Sequence, residues 1–124
     1  MLGLFRKPQN HRDALLAAIP LRNELVREKP TSAGLRLTAP LRPSTLRRVF
    51  VPSNAATPEK SFELDDLGAW VWHALDGVRS VEQLIHAFAD HHRVNLREAE
   101  VSVIAFLKTL AQRNLIGLVA PRRP

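Results

Sequence analysis

The sequence contains no cysteine. There is therefore no disulfide framework, no thiolate metal site and no cysteine nucleophile. Long apolar runs are missing too. The longest, Ala14 to Leu21, falls far short of the ~20 residues a membrane-spanning helix needs. Arg6 and Lys7 precede that run, but Asn10-His-Arg-Asp13 interrupts it and no small-residue cleavage site follows. The N-terminus thus reads as untargeted and the chain as cytoplasmic. Paired acids, a nucleophile–base spacing and a phosphate-cradling glycine loop are all lacking, so catalysis has no candidate residues. With 124 residues, no repeats and no low-complexity tract, the chain is one domain with short extensions.

What is present is charge, unevenly placed. The net +6 divides into +7 over residues 1–58, −5 over 59–100 and +4 over 101–124. A basic rim of this kind suits an acidic peptide or a polyanion, and it equally describes a solvated surface with a basic tail.

The legible centre is Phe62 to Leu118. Phe62 and Leu64 alternate with Ser61 and Glu63, the period of a half-buried strand. Asp65 or Asp66 then caps a helix whose apolar face is expected at Leu67, Trp70, Val71, Ala74 and Leu75. Asp76-Gly77 closes it. Ser80 with Gln83 forms a capping box ahead of the stripe Val81, Leu84, Ile85 and Phe88. Asn95, three residues before Glu98, opens a longer helix carrying Leu96, Ala99, Val103, Phe106, Leu107 and Leu110. Asn114 is expected to be left-handed, and Leu115 to Val119 to be extended.

Ahead of this centre, Met1 to Pro8 reads as a loose end, and Arg12 to Ile19 as two helical turns strapping the domain, ended by Pro20. Asn23 to Lys29 is expected as a first strand, Pro30 to Gly34 as a turn, and Leu35 to Ala39 as the returning strand. Leu46 to Val51 is a short strand or helical turn inside an insertion from Pro40 to Pro58, and Ser53 to Thr57 an open loop. Lys60 to Asp65 supplies the third strand. The fold class is α+β: a winged helix-turn-helix with a small antiparallel three-stranded sheet followed by three helices. The domain runs over 21–120, with an extension at 1–20, the insertion at 40–58 and a basic tail at 121–124.

Three stretches in this order resemble the PqqD family, the RiPP recognition elements that bind leader peptides during ribosomal peptide modification. They are Phe62-Glu-Leu-Asp-Asp-Leu-Gly-Ala-Trp-Val-Trp, Leu75-Asp-Gly-Val-Arg-Ser-Val-Glu-Gln-Leu-Ile85 and Ala105-Phe-Leu-Lys-Thr-Leu-Ala-Gln-Arg-Asn-Leu-Ile116. The resemblance covers about Asn23 to Leu118. It implies a non-catalytic peptide chaperone that takes a leader as an added strand on its third strand, against its third helix. It also implies delivery of that peptide to a modifying enzyme such as a radical SAM protein. Two departures, the Pro40–Pro58 insertion and the N-terminal extension, bear on a role in pyrroloquinoline quinone synthesis itself and not on the peptide-binding fold.

The residues support such a site independently. An edge strand offers unpaired N–H and C=O groups to a partner chain. Ser61 to Leu64 contains no proline and one charged side chain, so little guards it. The expected peptide-binding residues are Lys60, Ser61, Phe62, Glu63, Leu64 and Asp65 on the strand. On the last helix they are Val101, Ile104, Ala105, Lys108 and Thr109, a partly apolar stripe beside the core-facing one. The alternative is that this stripe is a wide core face covered by the N-terminal strap or the insertion. The unguarded edges also allow a homodimer.

Five histidines raise the question of metal. His91 and His92 are adjacent, about 100° apart on a helix, and so do not share a face. With Asp90 alone nearby, no metal or cofactor is expected. His73 is expected solvated or half-buried beside Trp70. Trp70 itself is expected in the core, and Trp72 at a partner contact or half exposed. The alternative function is a winged-helix DNA-binding regulator, supported by Arg93, Arg97, Lys108, Arg113 and Arg122-Arg123. Against it, Glu98 and Glu100 occupy the end of the helix that would read bases, and nine acids across 59–100 repel phosphates.

Overall fold

Pro20 sets the first boundary in the structure, a computed structural model in which residues 11–40 and 59–121 are described. The residue before a proline is driven out of the α region. Helix α1 (His11–Ala17) therefore stops early, and Ile19 opens β1 (Ile19–Arg22) instead of ending the helix as expected. β1 pairs antiparallel with β5 (Ile116–Val119), Ile19 opposite Val119 and Arg22 opposite Ile116. This ribbon was not foreseen. Asn23 leaves it by donating its backbone N–H to Leu115 O at 2.9 Å and its side-chain Nδ2 to Asn114 O at 2.9 Å. The expected strand from Asn23 is corrected accordingly: Glu24 and Leu25 form a turn, and β2 is Arg27–Thr31.

The chain divides into two units, Glu24–Ala69 and the remainder. In the first, β2, β3 (Gly34–Pro40) and β4 (Glu59–Leu64) form an antiparallel sheet in that order. Pro30 belongs to β2 and not to the turn, because β2 is an edge strand where a missing N–H is tolerated. Ser32-Ala33 alone connects Thr31 to its partner Gly34. Gly34 takes φ 154°, and a Cβ there would lie 2.1 Å from the Leu64 carbonyl oxygen, so glycine is required. Leu35, Leu37 and Ala39 are buried on one sheet face, where Leu35 opposes the buried Leu64 and Leu37 opposes Phe62. Pro40 pairs with Glu59, so the 41–58 insertion joins adjacent strand ends.

The helix caps are those expected. α2 (Asp66–Ala74) is capped by Asp65, whose Oδ1 accepts from Gly68 N at 2.8 Å. Gly77 is left-handed, and Asp76 Oδ1 accepts from Val78 N and Arg79 N. Those two backbone donors hold the Asp76 carboxyl below its ordinary pKa. α3 (Val81–His92) carries the full Ser80–Gln83 capping box, and its first N–H donates to Ala18 O. α4 (Leu96–Gln112) is capped by Asn95 through Glu98 N, and Asn114 is left-handed. α3 packs against α1 and α4, and α4 against β5.

The buried face of α2 is rotated from the one expected. Gly68, Val71, Trp72 and Leu75 are buried, Leu67 is 50% exposed and Trp70 is half-buried. Trp72, expected at a partner contact or half exposed, is core at 1% exposure. The guanidinium of Arg22 lies 5.0 Å from its ring centre and donates to Trp72 O at 2.6 Å. On α4, Ala99, Val103, Leu107 and Leu110 are buried, whereas Leu96 at the first turn is 47% exposed.

The expectations for Met1–Pro8, Leu46–Val51, Ser53–Thr57 and Arg122-Arg123 lie outside the described residues. Among those described, no helix is long and apolar enough to cross a membrane.

Candidate functional site

The expected strand residues form one element. β4 ladders with β3 along one side, and among the described residues nothing pairs with its other side. Its side chains alternate as the sequence indicated. Leu64 is buried and Phe62 half-buried, while Lys60, Ser61 and Glu63 are exposed. The polar sheet face is crossed by paired groups. Arg36 Nε donates to Glu63 Oε1 at 2.6 Å, Thr38 and Ser61 hydroxyls lie 3.2 Å apart, and Arg27 holds Glu59. Cross-strand pairs of this kind keep β4 in register with β3 without using its outer edge. Lys60 Nζ sits 5.7 Å from the Phe62 ring centre. Asp65 is spent on the α2 cap.

The expected helix residues share the side of α4 turned away from its buried stripe. Val101 is 59% exposed, and Ala105, Lys108 and Thr109 are also exposed. Ile104 is half-buried. Thr109 Oγ1 donates back to Ala105 O at 3.1 Å, which commits its proton and leaves the oxygen able to accept. Val101 is thus an exposed aliphatic side chain on a helix whose core needs are met by Ala99, Val103, Leu107 and Leu110. β4 and α4 belong to different units, and each surface is defined within its own.

One cluster was missed. Trp70 stacks on His91 at 5.0 Å and 25°, and meets His92 at 5.1 Å and Phe88 at 5.8 Å, both edge-on. His91 and His92, expected to point apart, have ring centres 4.8 Å from each other. The indole is wide enough for two adjacent side chains to reach it from neighbouring directions. The half-buried position of Trp70, and not the histidine spacing, is the signal that would have found this. Among the described residues no group of three His, Asp or Glu side chains is arranged to hold a metal ion. Elsewhere in the unit, Arg12 grips Glu100, which lowers the Glu100 pKa and raises that of Arg12.

An α+β, winged-helix-like arrangement finds counterparts among known proteins. The model of the family described as coenzyme PQQ synthesis protein D, PqqD, matches residues 54–116. The chain belongs to the PqqD family. Two solved structures share the fold. One is TbiB1 in complex with the TbiA(beta) leader peptide, 18% identical, TM-score 0.56, covering 77% of this chain and 93% of that one. The other is the solution NMR structure of the PqqD truncation of Methylobacterium extorquens PqqCD, described as a functional and stand-alone RiPP recognition element. It is 19% identical, TM-score 0.54, and covers 80% of this chain and 88% of that one. Among curated proteins none matches the sequence.

Proposed function

We propose that this chain is a non-catalytic RiPP recognition element that captures the leader of a ribosomally made precursor peptide and presents it to a modifying enzyme. The observation that carries the reading is the proline-free outer side of β4, with which nothing pairs among the described residues, in a family member whose fold is shared with a protein held in complex with a leader peptide. The leader adds as a strand to Lys60, Ser61, Phe62, Glu63, Leu64 and Asp65. Its backbone ladder supplies affinity, and Val101, Ile104, Ala105, Lys108 and Thr109 on α4 are proposed as further peptide contacts for selectivity. The receiving enzyme is one that modifies peptides, such as a radical SAM protein.

Proline substitution tests the strand addition. Successive N–H groups in a strand point to opposite sides, so of Ser61 and Phe62 one donates toward β3 and the other outward. Ser61→Pro and Phe62→Pro, each checked by circular dichroism, are titrated with labelled leader peptides encoded beside the gene. The variant that stays folded should bind at least about tenfold more weakly, having lost an interfacial hydrogen bond and gained a clash. A folded variant with unchanged affinity refutes strand addition at β4. Duplex DNA in the same assay tests the DNA-regulator alternative, for which binding must fall steeply with salt.

A further inference from the structure

Among the described residues the two sheets end in four outer strands, and three of them carry charge or proline. β1 holds Pro20 and Arg22, β2 holds Arg27, Glu28, Lys29 and Pro30, and β4 holds Glu59, Lys60 and Glu63. β5, Ile116-Gly-Leu-Val119, holds neither. Charge and proline are the usual guards against pairing between edges, so β5 is the least guarded of the four. Its backbone groups divide between its two sides. Pro20, opposite Leu118, has no N–H to give, and Asn23 N donates to Leu115 O at 2.9 Å. The bonded pairs of the ribbon are therefore Leu21 with Gly117 and Ile19 with Val119. The N–H and C=O of Ile116 and Leu118 face outward.

The side chains of this ribbon form a pattern that fits itself. Leu21 and Val119 are exposed on one face and Leu118 on the other. Gly117 stands between Leu21 and the outer edge, and a Cβ added there would meet nothing within 4 Å. We infer that β5 pairs antiparallel with β5 of a second copy of this chain, Leu118 opposite Leu118, joining two ribbons into one four-stranded sheet. In that register the two Leu118 residues exchange both backbone bonds. Each Gly117 stands opposite the copy's Val119, whose side chain fills the open space beside Leu21. The two-fold symmetry makes this fit twice over. On the other face the Leu118 side chains meet, and β5 sets no charge against a like charge. Strands of four residues bury little area, so the dissociation constant should be on the order of 10–100 µM. None of these residues is a proposed leader contact, so this inference and the peptide-binding reading fail separately.

Sedimentation equilibrium of the full chain, at concentrations spanning that constant, is the test. The average mass should rise from the 13.9 kDa of one chain toward twice that value. Leu118→Lys and Leu118→Glu should each stay monomeric, because like charges then stand directly opposite one another. An equimolar mixture of the two should associate again. Melting temperatures check that both variants are folded. Leu118→Cys tests the register without charge. In a chain otherwise free of cysteine it should form a disulfide-linked dimer under mild oxidation, well ahead of Ser102→Cys at an exposed position on α4. A chain that stays monomeric throughout, or a dimer indifferent to charge at Leu118, overturns the inference. So does a dimer that leader peptide dissociates, which would assign the contact to β4.

Discussion

Arg12 and Glu100, 88 residues apart, meet through two parallel hydrogen bonds, Nε to Oε2 at 2.9 Å and Nη2 to Oε1 at 2.7 Å. The pair ties α1 to the second turn of α4. The Glu100 carboxyl has its pKa lowered, first by the hydrogen bond from Arg12. A lowered folded-state pKa means stabilisation that is complete above the ordinary glutamate value and lost as pH falls through the folded one. Arg12 is raised from an already high value, so its own contribution does not change at any pH the protein meets. The difference in melting temperature between the parent and Glu100→Gln should therefore be constant near neutrality and shrink on the acid side, below about pH 4. A constant difference down to the acid limit would refute the coupling.

Gly34 and Gly117 should respond oppositely to alanine. A Cβ at Gly34 collides with the Leu64 carbonyl oxygen and sits on a positive-φ backbone, so Gly34→Ala should cost about 2 kcal/mol or more. At Gly117 an added Cβ meets nothing within 4 Å, and Gly117→Ala should be neutral or stabilising by up to ~1 kcal/mol. Urea unfolding of both variants checks the pair.

Ser80→Ala removes the capping-box bond in which Ser80 Oγ accepts from Gln83 N at 3.2 Å, and keeps the one from Ser80 N to Gln83 Oε1. A loss of about 1 kcal/mol in unfolding free energy is expected. A value near zero would mean that tertiary packing alone holds the start of α3.

The two tryptophans should separate cleanly. Trp72 is core, and its indole N–H has no hydrogen-bond partner among the described residues. Trp72→Ala should cost ~3–5 kcal/mol, whereas Trp72→Phe, which abandons no hydrogen bond, should cost far less. Trp70 is half-buried among His91, His92 and Phe88. Acrylamide should therefore quench the fluorescence of Trp72→Phe, which keeps Trp70, more than that of Trp70→Phe. The reverse order would contradict the rotated face of α2.

What the sequence disclosed depended on whether a signal was local. Ser80 with Gln83, Asn95 with Glu98, Asp65 and Asn114 are decided by hydrogen bonds within a few residues, and all four stand where the sequence indicated. The alternation of Phe62 and Leu64 and the second stripe on α4 were legible for the same reason. The β1–β5 ribbon was not, because the partner of Ile19 is Val119 and no local pattern announces it. On α2 both Leu67-Trp70-Val71-Ala74 and Gly68-Val71-Trp72-Leu75 satisfy helical periodicity. In a helix of nine residues with apolar groups on two sides, periodicity cannot choose between them. The non-glycine left-handed residue Arg93, which ends α3, also lacked any signal beyond the break before Asn95.

The central claim is tested most directly by an amide NMR titration of the isotopically labelled chain with leader peptides encoded beside its gene. The account predicts saturable shifts concentrated at Lys60–Asp65 and Val101–Thr109, with slowed amide exchange on the outward-facing N–H groups of β4. Shifts confined to other surfaces, or no saturable shift with any leader while duplex DNA perturbs Arg93, Arg97 and Arg113, would contradict it.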